Sequence, residues 1–332
     1  MRVTGFTELV GCTVPIQQAA MGAVSPPALA AAVSNAGGLG MVGTARWGGR
    51  TLGNLDRLLD EAQALTDRPF GVNFVVSDPH MESTEPGCLA LAARRARLVE
   101  FFWRLPDPAM IETVHEQGAL VSWQVGSPAE AVAAAEAGAD LIVAQGIGAG
   151  GHVRGTVGVL ALLDEVLEAV DVPVLAAGGI GTGRALAAVL AAGAAGARMG
   201  TRFIAAEESD AHPRYVEALI AAGSADTVYG STFNAWWDAP GRALRSSVEA
   251  AEAFAGEVVG ETPSLDGTRE ALLRFYPESI NRGTTGAIEA MSLWAGESVG
   301  AVRRVQPAAE IVREVAGEAE RLLRRWADGT DQ

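Results

Sequence analysis

A chain of 332 residues is long enough for one large α/β domain with an addition, and for a core that needs no disulfide or metal staple. Its 40 glycines and 49% hydrophobic content fit tightly packed α/β layers better than a β-sandwich or a disordered chain. A formal charge of −15 opposes nucleic acid and anionic membrane as partners, since both recruit clustered Lys and Arg.

The charge-free run from Val10 to Ala45 is punctuated by Pro15, Pro26, Pro27 and glycines, so it reads as buried α/β structure and not as a membrane span. No apolar signal segment opens the chain, and Cys12 and Cys88 lack disulfide-framework or zinc spacing, which points to a reducing cytoplasm and to no metal.

Pro15 to Ala20 reads as a first strand, followed by Ser25-Pro26, a Ser N-cap with proline at the first helical position, and a helix to Asn35. Leu39 to Val42 is a second strand, and Leu52 to Leu65 a helix with Leu55, Leu58, Leu59 and Ala62 at helical spacing. Phe70 to Val76 is a third strand with Asn73 near its C-terminal end, where a polar amide reads as a ligand contact. Arg97 to Phe102 is a fourth strand, Pro108 to Gln117 a helix, and Ala119 to Val125 a fifth strand with Gln124 near its end. Ser127-Pro128 repeats the helix-start signal ahead of a helix to Ala137.

The stretch Asp140 to Gly155, DLIVAQGIGAGGHVRG, organises the rest. A sixth strand of apolar residues stops at Gln145 and runs into Gly146, Gly148, Gly150 and Gly151, whose missing side chains let backbone N–H groups approach an anionic ligand. His152 follows and is the candidate for proton transfer or for hydrogen bonding to a substrate anion. Gly146, Gly148 and Gly151 also satisfy the dinucleotide-binding glycine spacing, but helical periodicity resumes only near Val159, so the helix that motif needs is missing.

Val159 to Val170 is a helix, Val172 to Ala177 a seventh strand, Ala185 to Ala192 a helix and Ala195 to Met199 an eighth strand, with a further helix opening on His212-Pro213. Eight alternating units predict a closed parallel TIM (β/α)8 barrel over residues 1–228. The loops after strands seven and eight carry Gly178, Gly179 and Gly181, and Gly200 and Thr201, which suit a phosphomonoester. Residues 229–306 mix Phe233, Trp236, Trp237, Phe254, Phe275, Tyr276 and Trp294 with glycines and read as a smaller, mainly helical C-terminal cap whose aromatics form its core. Residues 307–332 read as a helix returning to the barrel, with Ile311, Val312, Val315, Leu322 and Trp326 as its apolar side.

Six segments together carry a family resemblance: PIQQAAMG from Pro15, SNAGGLG from Ser34, FGVN from Phe70, AGGH from Ala149, AGGI from Ala177 and MGTRF from Met199. In them, and in Ala295-Gly296-Glu297-Ser298, the chain resembles the nitronate monooxygenases, formerly 2-nitropropane dioxygenases. The resemblance implies a TIM barrel that binds FMN without metal and oxidises alkyl nitronates with O2 to a carbonyl compound and nitrite. It places Ala20, Met21 and Gly22 near the isoalloxazine, Asn73, Gln124 and Gln145 along the strand ends, and His152 in the active site. Ala149, Gly150, Gly151, Gly178, Gly179, Gly200 and Thr201 fall toward the phosphate.

Two positions depart from the pattern. Ala23 stands where a second glycine is common, which narrows the approach to the flavin, and Gly148 stands where a glutamate often occurs, which removes a charge near His152. Related enzymes reduce enoyl thioesters or quinones with NAD(P)H, so that activity is the alternative expectation, and a non-catalytic flavin-binding protein is the third. A homodimer is left open.

Overall fold

The computed structural model describes residues 3–44, 50–234, 237–264 and 268–329. Eight parallel strands form one sheet: β1 (Ile16–Gln18), β2 (Gly40–Gly43), β3 (Phe70–Val75), β4 (Leu98–Phe102), β5 (Leu120–Val125), β6 (Leu141–Gln145), β7 (Val174–Ala177) and β8 (Gly196–Met199). Neighbours in sequence are neighbours in the sheet, β1 pairs with β8, and a parallel bridge from Gln17 to Leu39 draws β1 to β2. The chain is therefore a nearly closed TIM barrel. That topology brings all eight strand C-termini to one rim, and a catalytic site in this fold is built there.

The helices between strands bury one face each. Leu55, Leu58, Leu59 and Ala62 are the buried residues of helix Leu52–Leu65, the set that the 3.6-residue period selects. Ser127 caps helix Pro128–Glu136 by accepting the Glu130 N–H. Ser25 does not cap its helix. Pro26 holds the cap position of Pro27–Asn35, while the buried Ser25 hydroxyl accepts the Met21 N–H and the Gln18 amide and so fixes the turn after β1. Helices Asp78–Glu82 and Cys88–Arg95 fill the β3 to β4 connection, in addition to the elements predicted above.

Beyond the barrel, the mainly helical cap gives way to mostly extended chain. Thr227–Gly230 and Gly241–Leu244 pair antiparallel, Val258–Pro263 pairs with Arg269–Leu273 and Thr285–Gly286, and Arg245–Ala253 is the one α-helix among the described residues between them. The final helix, Ala308–Ala327, buries Ala308, Ile311, Val312, Val315 and Ala319 in the barrel's outer core. Each large apolar side chain among them contributes about 1.5–3 kcal/mol. Trp326 was expected on that face but is 82% exposed, because the helix runs past the barrel before its last turn.

Candidate active site

A cavity of about 510 Å³ opens at the rim of strand C-termini. All fourteen residues singled out from the sequence line it: Ala20, Met21 and Gly22 after β1, Asn73, Gln124 and Gln145 at the ends of β3, β5 and β6, and Ala149, Gly150, Gly151 and His152 beyond β6. Gly178, Gly179, Gly200 and Thr201, after β7 and β8, complete the set. Segments far apart in sequence converge because each follows a barrel strand.

The glycines divide by physical cause. Gly151 and Gly179 have positive φ with open space where a Cβ would stand, so their backbones face the cavity bare. Gly146, Gly148 and Gly150 are small because protein atoms fill their side-chain positions: Val159 N, Glu297 Oε2 and Gly296 N, each 2.5 Å from an added Cβ. Of these three only Gly150 reaches the cavity, and Gly181 packs on Ser298 instead. Thr201 accepts the Gly296 N–H at 3.0 Å, and its hydroxyl proton stays available to an acceptor in the cavity. Ala23 is fully buried and does not line the cavity, so it does not narrow it.

His152 sits on a short strand, Gly151–His152, that pairs with Gly241 and Arg242 of the cap. Its Nδ1 lies 3.1 Å from the Ala239 carbonyl oxygen, and Gln145 donates its amide to the His152 carbonyl at 3.0 Å. A carbonyl only accepts, so Nδ1 carries the proton of the neutral ring and Nε2 keeps a basic lone pair. Burial lowers the imidazole pKa to about 4, opposed only by the Ala239 carbonyl.

Three tryptophans surround the ring, with centroids 4.2 Å (Trp237), 5.0 Å (Trp294) and 6.0 Å (Trp103) away. Trp103 has φ 101°, a left-handed conformation that costs about 1–3 kcal/mol in a non-glycine residue. Arg154 fixes it there: the guanidinium lies over the indole, donates to the Trp103 carbonyl and is itself held by Glu130.

Several wall residues carried no sequence expectation. His80 touches Trp237 at 4.8 Å and has its pKa lowered to about 3 by burial, Arg50 and His152. Arg50, Arg198 and Tyr215 also line the cavity. The cap aromatics are not all cap core, since Trp237, Tyr276 and Trp294 face the cavity, while Phe233 and Trp294 pack together at 5.7 Å and Trp236 lies outside the described residues. A charged residue inside an apolar strand, as in Leu98–Phe102 and Gly196–Met199, was the signal that could have found Glu100 and Arg198.

Comparison with known proteins bears on this geometry. A family model described as nitronate monooxygenase matches residues 4–318. The chain is 33% identical to the nitronate monooxygenase of Pseudomonas aeruginosa over 360 residues, covering 94% of this chain and 98% of that one. It is 40% identical over 224 residues to the (3aS,4S,5R,7aS)-5-hydroxy-7a-methyl-1-oxo-octahydro-1H-indene-4-carboxyl-CoA dehydrogenase of Rhodococcus jostii, covering 68% of this chain and only 61% of that protein. Among solved structures, nitroalkane oxidase from Streptomyces ansochromogenes matches with a TM-score of 0.78 at 30% identity, covering 97% of this chain and 100% of that one.

Proposed function

Because the chain belongs to the nitronate monooxygenase family, we propose that its cavity binds FMN and oxidises alkyl nitronates with O2 to a carbonyl compound and nitrite. The residues fit such a group on two counts. Gly151 and Gly179 offer bare backbone beside the Thr201 hydroxyl for a phosphate, and the buried Gln145 Oε1 has no protein donor, which suits the N–H edge of a ring system. Bound FMN supplies the electron exchange with substrate and with oxygen.

The protein's own part is positioning and proton handling. Nε2 of His152 accepts the α-proton of a neutral nitroalkane, since Nδ1 is committed to Ala239. In this tautomer the ring does not donate to nitronate oxygens, so a preformed nitronate meets His152 as an acceptor only. The indoles of Trp237 and Trp294 pack around the ring and exclude water from the reacting carbon. The observation that carries the reading is this neutral imidazole, with its tautomer fixed, on the wall of a cavity that the glycine loops also line.

FMN-loaded protein should consume oxygen when given ethylnitronate or propionate 3-nitronate without NADH. Absence of uptake would defeat the proposal.

The 40% identity to the Rhodococcus carboxyl-CoA dehydrogenase supports a second reading, oxidation of a carboxyl-CoA thioester, in which the same Nε2 would take the proton α to the carbonyl. Anaerobic bleaching of the flavin by such a thioester, with no oxygen uptake on nitronates, would select it.

A further inference from the structure

The floor of the cavity carries a charge pair that the proposed reaction does not use. Arg198 on β8 places Nη2 2.8 Å from the carboxylate of Glu100 on β4, four strands away around the barrel in either direction, so the pair spans the interior. Glu100 is 0% exposed and its oxygens are well supplied, because Asn73 donates to Oε1 and Gln17 to Oε2, each at 2.9 Å. The arginine is less well served. It is 8% exposed and lines the cavity, yet its Nε and Nη1 have no protein partner.

Leaving donors of a buried guanidinium unmade is costly. With Glu100 already engaged, an acceptor brought into the cavity is what would satisfy them. Burial pulls the Arg198 pKa below its ordinary value and Glu100 pushes it back, but a guanidinium stays cationic at any working pH. Two strands away in register, with Ala177 between them, Gln145 Oε1 lacks a donor in the same cavity. A cationic donor and a neutral acceptor lining one cavity two strands apart complement the pyrimidine edge of a flavin, whose C=O and N–H groups alternate.

We propose that Arg198 is the cationic anchor for the electron-rich N1–C2=O edge of the bound flavin, and that Glu100 sets how much of that charge the ring feels. The inference rests on the reading of the cavity as a flavin site and is independent of which substrate is oxidised. It makes Arg198 and Glu100 act with opposite sign. Without the guanidinium, the Glu100 carboxylate is left uncompensated behind the cavity surface and would oppose negative charge arriving there. Without the carboxylate, the full cation attracts it.

Sulfite reads this without turnover: its sulfur forms a bond to N5 of oxidised flavin, and the electron pair moves to the N1–C2=O edge. In FMN-loaded protein, Arg198→Gln should raise the sulfite Kd by about tenfold or more, Glu100→Gln should lower it, and Arg198→Lys should leave it near the starting value. If Arg198→Gln does not fold, the neutral pair Arg198→Met with Glu100→Gln carries the test, and its Kd must exceed that of Glu100→Gln alone. Shifts of the same sign in the two single variants, or equal values in the last comparison, would overturn the assignment. A protein that takes up no FMN overturns it together with the flavin reading. Opposed shifts in a protein that does not consume oxygen with nitronates leave it standing and defeat only the reaction.

Discussion

The carboxylate of Glu297 occupies the space where a side chain at Gly148 would begin, with Oε2 2.5 Å from the position of a Cβ there. The Glu297 N–H donates to the Gly148 carbonyl at 2.9 Å, and Arg242 stands 3.5 Å from the other carboxylate oxygen. A negative charge thus returns to the place where the family pattern has a glutamate, brought by a distant segment.

This separates two glycines that look alike in sequence. Gly148→Ala meets only the movable end of a half-exposed glutamate and should cost less than about 1 kcal/mol. Gly150→Ala meets backbone, Gly296 N at 2.5 Å and Ala295 C at 2.8 Å, and should cost about 1–3 kcal/mol or more. Urea unfolding of both variants checks the order, and equal midpoints would contradict it.

His152→Ala removes the proton acceptor but no backbone of the glycine loops. Turnover of neutral nitroalkanes should fall by about 10²–10⁴ while bound FMN stays nearly stoichiometric, a pairing that oxygen uptake and flavin absorbance measure together. Loss of flavin along with activity would assign the ring a structural role instead.

The pH dependence follows from two depressed histidines. His152 and His80 have folded-state pKa values of about 4 and about 3, whereas an unfolded chain protonates histidine near 6.5. The unfolded state therefore binds more protons between these values, so their contribution to stability is fully present above about 6.5 and is lost as pH falls toward 4. The acid limb of kcat/KM should lie below about pH 5. A limb near 6.5 that disappears in His152→Asn would show that the imidazole is not held neutral.

Tyr215 is 1% exposed and donates its hydroxyl to the carbonyl of Trp294, the residue that flanks His152. Tyr215→Phe leaves that buried oxygen without its donor and should destabilise by about 1–3 kcal/mol, visible as a lower Tm. KM should rise more than kcat falls, because the indole positions substrate and takes no part in proton transfer.

Local pattern determined much of this molecule by itself. Strand and helix alternation in β1 to β8 follows from apolar runs and 3.6-residue spacing, and the barrel follows from their number, so Asn73, Gln124, Gln145 and the glycine loops were legible as rim residues. His152 stood out for the same reason, as a titratable group at a strand's end. Only the tertiary structure decided the rest: Ala239 as the partner that fixes the imidazole tautomer, Arg198 facing Glu100 across the barrel, Glu297 beside Gly148, and a cap made of short antiparallel strands. Such short strands carry little periodicity of their own, and a buried charge or a bare glycine takes its meaning from atoms that the chain brings near it only by folding.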